Sequence, residues 1–124
     1  MSLTLERSPP PNKGKFASEA AALEAVVERL VRSLDPAAIW LFGSRARGTA
    51  RPDSDFDLLV VAKPNGALDG GSYFDVYEPV RGMGLGIDVV PCGYLDFEEA
   101  KSLKTTLVAR IVEEGRLLYE ARPN

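Results

Sequence analysis

Two aspartates one residue apart open an apolar run, Asp55-Phe-Asp57-Leu-Leu-Val-Val61, and their types and spacing could do chemistry. Side chains on a strand alternate between faces, so both carboxylates point to one side with Cα atoms about 6.5–7 Å apart, close enough to share metal ions. Two such charges at the mouth of a hydrophobic strand are unfavourable unless water, a cation or a counter-charge compensates. A third acid, Asp88, sits in another apolar run, Gly86-Ile-Asp-Val-Val90, where a charge likewise needs a reason. Pairing with an arginine is the other reading of Asp88.

Upstream of the pair lie Gly43, Ser44, Arg45, Arg47 and Arg51. Gly43 gives the backbone room to turn and to approach a ligand closely. Ser44 is expected to cap a short helical turn, whose first amides lack intrahelical partners and suit a phosphate. The arginines add full positive charge nearby. Taken alone, Gly-Ser is equally a plain turn and the arginines a solvated surface; followed by the two aspartates at this spacing, they read as a site for a metal–nucleotide complex. Asp53 is out of step with the acidic pair and reads as a turn or cap residue.

Composition narrows the chemistry. The chain has no histidine, which excludes a Ser-His-Asp triad, a histidine metal site and a histidine general base. Its single cysteine, Cys92, excludes an internal disulfide and a cysteine zinc cluster. What remains is carboxylate and metal chemistry. A net charge of −3 leaves no electrostatic footprint for a duplex, so direct nucleic-acid binding is not expected. No run approaches the roughly 18–20 apolar residues of a membrane span, and the start lacks the apolar centre of a signal peptide, so no membrane role and a cytoplasmic location are expected.

The elements that must position these residues can be read in turn. Residues 1–15, with Ser8-Pro-Pro-Pro-Asn12, read as a flexible or extended lead-in without a role; 16–120 read as one domain and 121–124 as a frayed tail. From Ser18 to Leu34 apolar residues recur at helical spacing, and Asp35-Pro36 stops the helix. Ala38–Phe42 is a short buried strand delivering the chain to Gly43. Phe56, Leu58 and Val60 face one side of the next strand and Asp57, Leu59 and Val61 the other, which implies a central strand with its acids at one end. Asp69-Gly-Gly-Ser72 leads into a helix carrying Tyr73, Val76, Tyr77 and Val80, irregular at Pro79. Asp96 with Glu99 suggests a capping-box helix start, followed by one helix or two up to Gly115. Leu117–Tyr119 is expected to be a short edge strand.

Gly43-Ser44, ten residues, then Asp55-x-Asp57 resembles the signature of the polymerase-β-like nucleotidyltransferase superfamily. The fuller run Gly43-Ser-Arg-Ala-Arg-Gly48 with Pro52-Asp-Ser-Asp-Phe-Asp-Leu-Leu-Val-Val61 is similar to its minimal nucleotidyltransferase (MNT) members. The resemblance extends to the strand at Asp88 and to the closing Glu113–Glu120. It implies an α/β (α+β) fold, a small mixed sheet flanked by helices. It departs from the family where Pro79 and the glycines 82, 84 and 86 stand in place of an ordinary crossover helix.

The resemblance further implies that Asp55, Asp57 and Asp88 are catalytic carboxylates holding two Mg²⁺ ions. Gly43 and Ser44 would hold the phosphates of ATP, with Arg45 and Arg47 neutralising the departing pyrophosphate. Small members of the family work beside a HEPN-domain toxin as antitoxin, transferring AMP to one of its tyrosines, so that partner is the expectation; self-association stays open. A small-molecule transferase of the aminoglycoside type and a non-catalytic partner-binding module are the alternatives.

Overall fold

The computed structural model describes residues 10–66, 68 and 72–122. The first nine residues of the expected lead-in, residues 69–71 of the expected Asp69–Ser72 loop and the last two residues of the tail lie outside that description.

Helix α1, Glu19–Leu34, begins where the Ser18 hydroxyl accepts the Ala21 N–H at 3.0 Å, and Glu19 in its first turn complements the helix dipole. It ends on Asp35, a left-handed residue at φ 48°, directly before Pro36, which cannot continue a helix. Its apolar stripe buries Ala22, Val26 and Leu30. Strand β1 is Ala38–Phe42, followed by the single helical turn α2, Ser44–Arg47. Strand β2 is Phe56–Val61. Helix α3, Tyr73–Tyr77, carries a capping box between Ser72 and Asp75 and tightens at Glu78–Val80 into a 3₁₀ turn containing Pro79. Strand β3, Ile87–Cys92, helix α4, Tyr94–Ala100, helix α5, Leu107–Glu114, and strand β4, Arg116–Glu120, complete the chain.

The four strands form one mixed sheet in the order β3-β2-β1-β4. β1 pairs antiparallel with both β2 and β4, whereas β2 and β3 are parallel. A parallel pair needs a crossover, and α3 supplies it. β2 is central, as its doubly apolar pattern predicts, and both its faces are covered. On one face Leu58 and Val60, with Ile39, Leu41 and Val89, pack against Val26 and Leu30 of α1 and Val76 and Val80. On the other, Leu59 and Val61 pack with Phe97 of α4 and Ile111 of α5. A side chain as fully enclosed as Leu58 contributes about 1.5–3 kcal/mol by leaving water.

The structure decides one open point and adjusts three expectations. The region after β3 holds two helices, because Thr106 starts a new one: its hydroxyl accepts the Ala109 N–H at 3.1 Å and donates to the Ala100 carbonyl at 2.7 Å. α4 starts at Tyr94 after Gly93, so Asp96 lies within its first turn and does not cap it. β3 runs past Val90 through Pro91, which an edge strand accommodates because one side of its backbone has no ladder partner. Of the expected lead-in, residues 10–15 are tied to the domain: the Asn12 N–H donates to the Pro52 carbonyl at 2.8 Å, and Gly14 lies against Met83 and Gly84.

Candidate active site

Register brings the acids together. Phe42 of β1 is the partner of Asp57 in β2, and Asp57 is the partner of Asp88 in β3. The C-terminal end of β1 and the N-terminal ends of β2 and β3 therefore share one edge of the sheet. Paired residues in neighbouring strands project to the same face, so Asp57 and Asp88 stand side by side on strands about 4.8 Å apart. Asp55 precedes β2 by one residue, and its charge reaches Asp57.

Two glycines make room for two of these carboxylates. Gly43 has φ +74°, a conformation that side-chain-bearing residues rarely adopt, and a Cβ added there would collide with Oδ2 of Asp57. A Cβ on Gly86 would collide in the same way with Oδ1 of Asp55. The Gly43 turn is thus seated on Asp57, and the residue that leads into β3 is seated on Asp55.

Asp57 is half-buried, and its carboxyl is pushed above the ordinary aspartate value by burial first, then by the charges of Asp88 and Asp55; Arg47 works against the shift. Asp55 and Asp88 are exposed. Among the described residues, no three acidic or cysteine side chains already close into a metal-holding set. The acids are neighbours around Asp57 with the outer two open to water. An all-oxygen donor set seated on bare backbone suits a hard divalent cation such as Mg²⁺, which also takes ligands from water and substrate phosphate.

Two of the expected phosphate-binding groups behave differently from the simple reading. Ser44 does not cap α2; Gly43 occupies the capping position, and Ser44 is the first helical residue, half-buried beside it. Its hydroxyl is therefore not used in a cap. Arg45 and Arg47 part company. Arg47 is exposed, lies within electrostatic reach of Asp57, and lines a cleft of about 240 Å³ with Gly43, Arg110 and Glu114 between α2 and α5. Arg45 turns to the α1 face. Its guanidinium donates to the Ser54 carbonyl through Nη2 at 2.7 Å and Nε at 3.0 Å, and to the Pro52 carbonyl at 3.0 Å. It also stacks on the Phe56 ring at 4.3 Å and pairs with Glu19 at 3.4 Å. With its donors so committed, Arg45 holds the loop before Asp55. Asp53 stays in that loop, 3.8 Å from Arg51.

Sequence reasoning missed Asn12. Its amide nitrogen donates to the carbonyls of Ser54 at 3.0 Å and Gly86 at 2.8 Å, and its oxygen accepts the Gly86 N–H at 2.8 Å. An asparagine beside a proline run carries no periodic or motif signal. A groove of about 770 Å³ runs along α1 and β4 over Leu23, Val27, Leu118 and Tyr119, and none of Asp55, Asp57 and Asp88 lines it.

Residues 24–124 match the family model described as polymerase beta, nucleotidyltransferase. Among solved structures, the chain is similar to a Sulfolobus solfataricus protein described as a nucleotidyltransferase, at 24% identity and a TM-score of 0.52 over 79% of this chain and 77% of that one. It is equally similar to a chain in a crystal structure of a toxin–antitoxin with AMP-PNP, at 24% identity and a TM-score of 0.52 over 80% and 74%. At that identity the likeness speaks for the fold. No curated protein is significantly similar to the chain.

Proposed function

Because the chain belongs to the polymerase β nucleotidyltransferase family, we propose that it is a Mg²⁺-dependent enzyme transferring AMP from ATP to a hydroxyl group of a partner protein. The acceptor in this reading is a tyrosine of a HEPN-domain toxin, and the chain acts as its antitoxin in the cytoplasm. The observation that carries the proposal is the register of Asp57 with Asp88, which gathers the three acids at the Gly43-Ser44 turn. The partner assignment is supported by the fold shared with the toxin–antitoxin structure containing AMP-PNP.

Asp55, Asp57 and Asp88 would hold Mg²⁺. When bound, the metal supplies positive charge that offsets the triphosphate and lowers the pKa of the attacking hydroxyl. The tyrosine oxygen attacks the α-phosphorus of ATP, the bond to the bridging oxygen breaks, and pyrophosphate leaves. Asp88, exposed at the start of β3, takes the proton from the tyrosine hydroxyl. Ser44 and the backbone beyond Gly43 bind the β- and γ-phosphates, and Arg47 offsets the charge of the departing pyrophosphate. Arg45 contributes indirectly, by fixing the loop that ends in Asp55.

The test is mass spectrometry of a HEPN-domain protein co-expressed from the neighbouring gene, with this chain and Mg-ATP. The expected result is a mass increase of one AMP on a tyrosine, absent with Asp57→Asn. Label transfer to small hydroxyl compounds instead would assign a small-molecule transferase. Neutralisation of the toxin by the Asp55/Asp57 double variant would assign a binding module.

A further inference from the structure

We propose that Asn12 is a positioning residue for the acidic site, the clamp that sets the separation between the acids of β2 and the acid of β3. The inference rests on the metal-dependent reading above. Asn12 reaches both strand entrances at once. On the β2 side it donates to the carbonyl of Ser54, the residue before Asp55; on the β3 side it bonds both the N–H and the carbonyl of Gly86. Gly86 is the residue whose missing side chain makes room for the Asp55 carboxylate, and a Cβ there would also come within 3.4 Å of the Asn12 amide nitrogen.

An amide suits this task because one planar group supplies an acceptor for an N–H and two donors for carbonyls. Asn12 uses all three. The rest of the entrance is closed by Phe56, whose N–H donates to the same Gly86 carbonyl at 3.0 Å, and by Arg45, which approaches the Ser54 carbonyl as well. Asn12 is itself fixed by its backbone bond to Pro52. Three carboxylates repel one another, so their spacing must be imposed by the backbone beneath them, and Asn12 is the side chain that spans both parts of that backbone. Groups hydrogen-bonded directly to metal ligands typically cost about 10–100-fold in metal affinity when removed, and Asn12, acting through the backbone of Ser54 and Gly86, is placed at the low end of that range.

The experiment is Mn²⁺ binding to the full chain, read by electron paramagnetic resonance, for the unmodified protein, Asn12→Ala, Asn12→Asp and Asp57→Asn, with a thermal melt of each. Asn12→Asp keeps the size and the acceptor for the Gly86 N–H but faces two carbonyls with lone pairs. The expected result is about tenfold or weaker Mn²⁺ binding in both Asn12 variants while they remain folded, with the metal concentration for half-maximal transfer raised in step and KM for ATP at saturating metal unchanged. Unchanged Mn²⁺ affinity in a folded Asn12 variant, with or without a lower melting temperature, would overturn the proposal. If Asn12→Ala does not fold, Asn12→Asp is read by the same criterion. Mn²⁺ binding that is absent from the unmodified protein, or that is present but unaffected by Asp57→Asn, would instead remove the metal site, a different failure from that of the clamp.

Discussion

Asp57 of β2 and Asp88 of β3 are register partners in a parallel strand pair, so two carboxylates from different parts of the chain project side by side at one edge of the sheet. Burial first, then the charges of Asp88 and Asp55, raise the proton affinity of Asp57. Such an arrangement is unfavourable for folding by itself and useful to a cation.

Asp57→Asn is therefore expected to abolish nucleotidyl transfer by several orders of magnitude while leaving the fold intact. A purified variant with the melting profile of the parent and full transfer activity would reject the metal role of Asp57.

The same residue predicts a pH dependence of stability in the metal-free protein. Asp57 holds its proton more tightly folded than unfolded. Its favourable contribution is complete below the ordinary aspartate pKa of about 3.9, and is lost as pH rises through the higher folded value. Relative to Asp57→Asn, the parent should thus lose melting temperature across that window and run parallel to the variant above it. Paired melts in a chelating buffer at a series of pH values measure the difference; a parent that gains on the variant as pH rises would contradict the sign.

Gly43→Ala and Gly82→Ala both place a methyl on a backbone of positive φ, at +74° and +84°, but only the first has a carboxylate in its way. Each should cost about 1 kcal/mol in backbone strain. Gly43→Ala should in addition displace Asp57 and lose transfer, whereas Gly82→Ala should keep it. Melting curves and initial rates for the two variants separate strain from site damage.

Arg45→Ala and Arg47→Ala should diverge in the opposite manner. Losing Arg45 removes its charged hydrogen bonds to the Ser54 and Pro52 carbonyls, which keep their bonds from Asn12, together with the Phe56 ring contact, a destabilisation on the order of 2–3 kcal/mol. Arg45→Lys should not restore it, since a single ammonium lacks the planar fork. Arg47→Ala should leave the melt near that of the parent and slow transfer about tenfold or more, through the lost charge beside Asp57. Chemical denaturation and steady-state kinetics of the three variants decide.

Leu58→Ala opens a cavity in the middle of β2 and should cost about 2–5 kcal/mol, whereas Leu117→Ala, on the exposed edge strand at 43% accessibility, should cost less than about 1 kcal/mol. Urea unfolding midpoints provide the comparison.

Local chemistry made much of this molecule legible in advance. The 3.6-residue spacing of α1 with Ser18 before it and Asp35-Pro36 after, and the doubly apolar run of β2, both depend on neighbours in the chain. Periodicity reports which face of an element is apolar, and Ser, Pro and Gly report where elements stop. These terms determined the elements, and the spacing from Gly43-Ser44 to Asp55 and Asp57 pointed to the family. Tertiary structure decided the rest. Asp88 joins Asp57 through strand register, which hydrogen bonds between distant segments establish. Arg45 and Arg47, two residues apart on one turn, go to opposite faces of the sheet because α2 stands at its rim, and only packing shows which arginine meets the acids. Asn12 acquires its partners solely because Ser54 and Gly86 become neighbours in space. A lone amide carries no periodicity, so its place under the acids is a property of the assembled sheet.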